Sequence, residues 1–183
     1  MESAPRAPLP AVEIRLARLQ QLFNSFDPSP FHEKELDQDA EDYIVGSVDE
    51  FPLPQALRLV IHLPADQLTL AGPDGLAAVI RNHFAYRVGA TRRALRFKMR
   101  EGRMALAFGL LFLVICMGIR QMIFALAPGP IGTIFAEGLL ILGWVAMWGP
   151  LEIFLYDWWP IRHQARLFAK IAAMPVEIKP IQA

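Results

Sequence analysis

Two long apolar runs dominate the second half of the chain. One covers Met104–Ala127, the other covers Ile131–Tyr156, and Pro128-Gly129-Pro130 separates them. The hydrocarbon core of a bilayer is about 30 Å thick and requires about 20 helical residues, and each run reaches that length. Neither run has the polar face of a helix packed on a soluble core. The pattern predicts two transmembrane helices, 104–127 and 132–157, joined by a turn at 128–131.

Positively charged residues flank both runs and are absent from the turn. Six basic residues lie within 92–103, and Arg162, Arg166 and Lys170 follow the second run. Such residues are retained on the cytoplasmic side of a membrane. Met1–Pro10 lacks the apolar region of a signal peptide, so we expect the first span to act as its own insertion signal. We expect a multi-pass protein of the cell (inner) membrane, with the turn outside and both termini in the cytoplasm.

Two charged residues interrupt the apolar runs, Arg120 in the first and Glu137 in the second. They lie equally far from the centre of the turn when residues are counted outward. A charge in hydrocarbon costs about 2.5 kcal/mol or more, so intramembrane charges usually have partners. We expect an ion pair between Arg120 and Glu137, within one hairpin or between neighbouring chains. The alternative is that each side chain extends separately to the outer surface.

The same count pairs charges at the cytoplasmic ends of the two helices. Asp157 is level with Arg100, and Glu152 lies near Arg103. We expect these two pairs to form at the inner interface. Aromatic residues favour the headgroup region because one edge of the ring can be hydrated. We expect three of them at that depth, namely Tyr156, Trp158 and Trp159.

Pro150 and several small residues bear on the packing of the hairpin. Pro lacks an N–H and clashes with the preceding turn, so we expect Pro150 to kink or end the regular helix. A straight helix that tolerates Pro150 near its end is the alternative. Small residues four apart, such as Ala105 with Gly109 and Gly132 with Ala136, permit close helix approach in lipid.

The region before the membrane predicts a disordered arm at 1–10 and a small cytoplasmic domain at 11–74. The spacing of Val12, Leu16, Leu19 and following apolar residues predicts an amphipathic helix over Ala11–Phe26. Asp27–Pro30 is a turn sequence. A second helix is expected within His32–Glu50, with a short strand over Tyr43–Val48 as the alternative.

Alternating apolar residues predict a strand over Ala56–Leu63. A single strand cannot satisfy its own backbone groups, so it requires a partner. Three candidates remain open: Tyr43–Val48, the tail Pro175–Pro180, or the same strand of a second chain. The last candidate would make the cytoplasmic domain a dimerisation unit.

Residues 75–103 predict a basic helix that continues into the first span. Apolar residues recur at helical spacing from Leu76, and only Gly89 and Gly102 interrupt the run. A basic helix beside a membrane can bind anionic lipid headgroups. We expect a lipid or partner patch formed by Arg81, Arg87, Arg92, Arg93, Arg96 and Lys98. The alternative is an ordinary retention signal, which accounts for residues 96–103 but poorly for Arg81 and Arg87. No nucleic-acid-binding module frames this patch, so we expect no nucleic-acid partner.

Residues 158–183 predict a cytoplasmic amphipathic helix and tail. Arg162, Arg166 and Lys170 recur at intervals of four, and apolar residues occupy the other side of Arg162–Met174. Such a helix suits the inner surface of a membrane. Pro175 ends it.

Charge is distributed unevenly although the chain is neutral overall. Residues 1–54 carry eleven acidic residues against four basic ones, whereas 81–103 carry eight basic residues against Glu101 alone. Opposite blocks in one chain suggest that they dock on each other or contact different partners.

The sequence contains no signature of a catalytic, metal or cofactor site. The expected fold class is an α-helical membrane protein: a two-span transmembrane hairpin with a small cytoplasmic α+β, mostly helical, N-terminal domain. Its role is expected to be that of a non-enzymatic interaction or scaffold subunit, in a homo-oligomer or larger membrane complex. The alternatives are an oligomeric channel or transporter subunit with Arg120 and Glu137 in the membrane path, and an enzyme at the membrane surface.

Overall fold

A computed structural model describes residues 9–24, 36–71 and 73–181. The protein is mostly helical (73%) and its strand content is small. The chain forms two compact units: unit 1 contains Met1–Ala90 and Gln164–Ala183, and unit 2 contains Thr91–His163.

Unit 1 is built on a three-stranded parallel sheet. The strands are β1 (Ala11–Arg15), β2 (Arg58–Leu63) and β3 (Val176–Pro180), with β2 in the centre. Ile14 pairs with Ile61, which in turn pairs with Ile178. The predicted strand is confirmed from Arg58 onward, and the tail is confirmed as one of its partners.

The helix predicted over Ala11–Phe26 is wrong. Residues 11–15 form β1, a 3-10 turn covers Leu19–Leu22, and Phe23 forms an antiparallel bridge with Leu36. Val12 and Ile14 are buried while Glu13 and Arg15 are exposed, which is the two-residue period of a strand. β-Branched residues favour that conformation, so local preference and burial agree. Residues 25–26 of the predicted helix lie outside the described residues.

Helix α1 (Gln38–Asp49) follows, and its N-terminus is capped by Asp37. The Asp37 carboxylate accepts a hydrogen bond from the backbone N–H of Asp39 at 3.0 Å. A helix within His32–Glu50 is therefore confirmed, and the alternative strand over Tyr43–Val48 is wrong. The predicted turn over Asp27–Pro30 lies outside the described residues.

One face of the sheet carries the hydrophobic core of unit 1. Ile14, Leu59 and Ile61 are buried there, in one cluster with apolar residues of three helices. The helical members include Ile44, Val48, Ile80, Phe84, Phe168 and Ile171. The opposite face is mostly polar, with the buried Val60 at its centre and charged or polar residues around it: Glu13, Arg15, Arg58, His62, Glu177 and Lys179.

The helices α2 (Ala65–Ala71) and α3 (Pro73–Leu126) follow β2. The prediction of one long helix from about Gly75 into the first apolar run is confirmed, because α3 is continuous over 54 residues. Neither Gly89 nor Gly102 breaks it, since glycine lowers helix propensity by only about 1 kcal/mol.

The second apolar run is a broken helix. It comprises α4 (Pro130–Val145), α5 (Trp148–Glu152), a π-helical turn (Ile153–Asp157) and α6 (Trp158–Ala173). Gly129 is the N-cap of α4 and Pro130 is its first helical residue, where a missing N–H costs nothing. The helix predicted over Arg162–Met174 is confirmed as the second half of α6 and ends at Ala173.

Candidate functional site in the apolar hairpin

Within unit 2, α3 packs antiparallel to α4 and α5 along a seam of small residues. Gly102, Gly109 and Cys116 are buried at intervals of seven, and Ala136, Gly143 and Pro150 repeat that interval on the other side. A Cβ on Gly143 would lie 2.7 Å from Leu113 Cδ1. The predicted small residues Gly109 and Ala136 are in this seam, whereas Gly132 packs against Ala127 of the turn and Ala105 is only half-buried. A seven-residue repeat is the packing period of paired helices.

The outer surface of this apolar hairpin (residues 104–157) is hydrophobic and exposed. In the two most apolar windows only 17% and 22% of the residues are buried. Phe108, Phe135 and Trp144 each expose more than 60% of their surface. Both helices are long and apolar enough to cross a membrane. Most apolar side chains of these helices therefore point away from the other helix, and few of them contribute to the contact between the two helices.

The regular helix is interrupted between Val145 and Trp148, just before Pro150, as predicted, and the alternative of a straight helix axis stays a prediction. Pro150 offers no N–H to the carbonyl of Ala146, and its ring excludes a regular turn there. The regular helix ends at Val145, and Ala146–Met147 form a turn. The released carbonyl oxygen of Ala146 lies 3.1 Å from where a Cβ of Gly109 would stand. Gly109 therefore leaves the space that the Ala146 carbonyl at the helix break occupies, and a larger side chain at position 109 would contact that carbonyl closely.

Arg120 and Glu137 do not form an ion pair within the described chain. The Arg120 guanidinium instead stacks on Phe124, with its carbon 4.8 Å from the ring centroid. Its Nε is buried without a hydrogen-bond partner. Glu137 is exposed on α4. Equal depth along two helices does not fix the direction in which each side chain points. Pairing between neighbouring chains stays a prediction.

The cytoplasmic-end pairs are also different from those expected. Asp157 contacts Lys98, with Nζ 3.1 Å from Oδ2, rather than Arg100. Lys98 also lies 3.6 Å from Glu101. Arg103 and Glu152 are exposed and form no ion pair among the described residues. Residues 98 and 100 point about 200° apart around a helix, and the break before α5 shifts the count on the other side.

The hydrogen bond from Lys98 to Asp157 raises the pKa of the lysine above its ordinary value. Contact with Glu101 adds to this shift, while partial desolvation opposes it. The ammonium is therefore fully charged at neutral pH, and it links α3 to the π-helical turn. That turn sits at the end of the interrupted helix, where π geometry commonly accommodates an extra residue.

The predicted basic patch divides into two sets. Arg81, Arg92 and Arg96 are exposed, which suits a surface contact, and Arg93 has a contact within the chain. Arg87 is engaged inside unit 1: its Nη2 lies 2.7 Å from Glu41 Oε1, and its guanidinium carbon lies 5.2 Å from the Phe168 ring centroid. Arg87 and Lys98 are therefore engaged within the chain, Lys98 through Asp157, and they are not available to bind a ligand as part of the predicted patch.

The sequence did not identify Glu41 as the centre of a buried ion cluster. Glu41 is 7% exposed, and its carboxylate also contacts His83, with Nε2 2.8 Å from Oε2. His83 and Arg87 are four residues apart on α3, so they project from one side of the helix. That spacing was visible in the sequence. The choice of Glu41 among several nearby acids was not, because it depends on how α1 packs.

The three aromatic residues expected at the inner interface differ in exposure. Tyr156 and Trp159 are about two-thirds exposed (70% and 68%), and Trp158 is half-buried. Trp158 Nε1 donates a hydrogen bond of 2.7 Å to the carbonyl of Phe154, and Arg162 stacks over its ring at 5.5 Å. Tyr156 and Trp159 are thus free to contact surrounding molecules.

No protein-family model, curated protein or solved structure matches the chain. Functional inference therefore starts from the geometry of the two units. Among the described residues, no group of three or more His, Cys, Asp or Glu side chains has a metal-binding arrangement.

Proposed function

We propose that the protein is a membrane-anchored, non-enzymatic interaction subunit. The apolar hairpin crosses the bilayer twice, and unit 1 forms the cytoplasmic part that contacts partners. The observation that carries this proposal is the exposed hydrophobic surface of the hairpin. It leaves only 17% and 22% of its most apolar windows buried.

Lipid is the surrounding that best fits that surface. Monomeric soluble proteins rarely expose a contiguous apolar patch larger than several hundred Å². Bulky apolar residues point outward along both helices, while glycine and cysteine occupy the seam between them. Helix pairs in membranes are arranged in this way, because lipid is as apolar as the side chains and close contact supplies the attraction.

The distribution of charge supports a hairpin with both ends in the cytoplasm. Arg92, Arg96, Arg100 and Arg103 are exposed before the first apolar run, and Arg162 and Arg166 are exposed after the second. The turn at 127–129 carries no charge. Exposed arginines on both flanks favour retention of both flanks on the cytoplasmic side, at anionic headgroups.

Association with a further chain follows from the intramembrane charges. Glu137 is exposed on the surface that we assign to lipid, and Arg120 has a buried Nε without a partner. An isolated charge in hydrocarbon is costly, so each is expected to meet a partner from outside the hairpin. A second copy supplies both charges at the right depth, which favours a homo-oligomer.

An oligomeric channel or transporter subunit is the second candidate. The same two residues favour it, because ionisable groups within membrane segments often line ion or substrate paths. Two helices cannot enclose a pore alone, so this candidate also requires several copies. Flux through liposomes that disappears in Glu137→Gln would favour it over the interaction subunit.

Cysteine accessibility tests the anchor directly, because the chain has a single cysteine, Cys116. In a Cys116→Ala background, Gly129→Cys places a thiol in the turn and Arg81→Cys places one on the exposed part of α3. A membrane-impermeant maleimide should label Gly129→Cys in intact spheroplasts, and Arg81→Cys only after lysis.

Two results would contradict the anchor. One is labelling of both thiols before lysis, and the other is release of the protein from membranes by alkaline carbonate. The interaction role is tested separately by native mass in detergent and by affinity purification. A strict monomer without co-purifying chains would refute that role while leaving the anchor intact.

A further inference from the structure

Three basic side chains lie side by side where the parallel strands of unit 1 end. Arg15 of β1 pairs with His62 of β2, which pairs with Lys179 of β3. Neighbouring strands are about 4.8 Å apart, so the three positions span about 10 Å. All three lie on the polar face, opposite the hydrophobic core. The register therefore creates a cationic row across the whole sheet.

This row lines a cavity of about 290 Å³, together with Pro180 and Ile181. Pockets that hold small ligands begin at about 300 Å³, so this one suits a small group. It lies at the carboxyl ends of parallel strands, which is where open sheets of this kind bind ligands.

The two nearest carboxylates, Glu13 and Glu177, each contact one member of the row, and Glu177 also has a partner outside it, Arg58. Glu177 accepts hydrogen bonds from Arg58 Nη1 at 3.0 Å to each oxygen, and Lys179 lies 3.2 Å from it. The bond from Arg58 holds the pKa of Glu177 below its ordinary value, with Lys179 as the next contribution. Lys179 can turn toward an anion without leaving Glu177 unpaired.

The other two residues of the row differ in their partners. His62 Nε2 lies 3.2 Å from Glu13 Oε2, so one ring nitrogen is directed toward a carboxylate. Arg15 forms no ion pair within the described part of the chain. The row thus offers the unpaired guanidinium of Arg15 and the ammonium of Lys179, which can turn away from Glu177. Two formal positive charges and a fork of N–H donors match a doubly charged oxyanion better than a single carboxylate.

We propose that Arg15, His62 and Lys179 form a binding site for a phosphate group, which either a soluble phosphate ester or a lipid headgroup can supply. Arg15 binds two oxygens through its guanidinium. Lys179 contributes a point charge from the opposite edge, and His62 closes the site between them. This inference does not depend on the membrane anchor, since it concerns unit 1 alone.

Isothermal titration of the full chain in a non-ionic detergent, with inorganic phosphate as the probe, tests the site. We expect a dissociation constant on the order of 1 mM or tighter, because several charge-assisted hydrogen bonds form together. Arg15→Gln and Lys179→Gln should each weaken binding about tenfold or more. Arg18→Gln removes an exposed positive charge of unit 1 that does not line the cavity, and it should leave binding unchanged.

Lys179→Arg separates loss of the site from loss of the fold, since it keeps the charge and should retain binding. The source of the phosphate follows from the same titration in nanodiscs. If phosphatidic acid reduces the binding of free phosphate, and Arg15→Gln removes that competition, the source is a headgroup. Equal binding with phosphatidic acid and with phosphatidylcholine alone assigns a soluble ligand. Absence of phosphate binding to the wild type, or equal weakening in Arg18→Gln, overturns the proposal.

Discussion

Removing the carboxylate of Glu41 should destabilise unit 1 more than removing any neighbouring acid. In Glu41→Ala, His83 loses a contact of 2.8 Å and Arg87 loses one of 2.7 Å. The side chain of His83 is only 11% exposed, so its nitrogen cannot readily turn to water. The side chain of Arg87 is 43% exposed and can be partly rehydrated.

The magnitude follows from these exposures. A hydrogen bond to a charged group contributes about 1.5–3 kcal/mol when it is buried. A largely exposed ion pair contributes about 0–1 kcal/mol. We assign the buried value to the His83 contact and the exposed value to the Arg87 contact. Glu41→Ala should then lower the free energy of unfolding by about 3 kcal/mol.

Hydrogen exchange in the full chain is the suitable assay, because it reads unit 1 without requiring the hairpin to unfold. The amides of β2 are the reporters, since Leu59 and Ile61 are fully buried. A loss of about 3 kcal/mol lowers their protection by about 100-fold if they exchange through opening of unit 1. Asp42→Ala is the matched control, because Asp42 is the next residue of α1 and is exposed. A change in Glu41→Ala no larger than that in Asp42→Ala would refute the reasoning.

Three further predictions concern the seam, the two charges within the apolar hairpin and the polar sheet face. Gly143→Val should speed N-ethylmaleimide labelling of the buried Cys116 thiol, because overpacking of the seam costs about 1–3 kcal/mol. Gly138→Val is the control, because a Cβ there meets nothing within 4 Å. Equal labelling rates in the two variants would contradict the packing of the seam. Arg120→Glu and Glu137→Arg should each reduce the oligomer seen by native mass, and the double variant should restore it; failure of restoration argues against an intermolecular pair. Because the pKa of Glu177 is lower in the folded protein, its contribution is present above the unfolded pKa and lost as pH falls through the folded value. Glu177→Gln should therefore flatten the acid side of the stability profile below about pH 4, and an unchanged profile would contradict this.

The sequence predicted elements whose local pattern agrees with their packing. The helix α3 was predictable because nothing stronger than glycine interrupts its spacing. The strand β2 was predictable because its apolar residues alternate. The strand β1 was missed because Val12, Leu16 and Leu19 also fit a helical period, and only burial of Ile14 decides between the two. A short apolar stretch that satisfies both periods is settled by tertiary contacts.

The charged contacts show a similar limit. Counting along the hairpin brought Asp157 to within two residues of the correct position on α3, but its partner is Lys98 rather than Arg100. The choice depends on rotation around the helix and on the break at Ala146–Met147, neither of which a residue count contains. Arg87 was assigned to a surface patch because its partner, Glu41, lies 46 positions earlier in the chain. Long-range pairing of this kind is decided by the packing of α1 on α3.

The position of β3 at the far end of the chain has a consequence for biosynthesis. The middle strand of the sheet leaves the ribosome more than 100 residues before its second neighbour does. At about 5–20 residues per second, that interval lasts roughly 5–20 s. For nearly all of that time, one edge of β2 lacks its partner and the apolar face lacks the core side chains that α6 supplies. The nascent chain must therefore complete its hairpin before its first-made strands can close, and a chaperone that shields an open sheet edge would act during that delay.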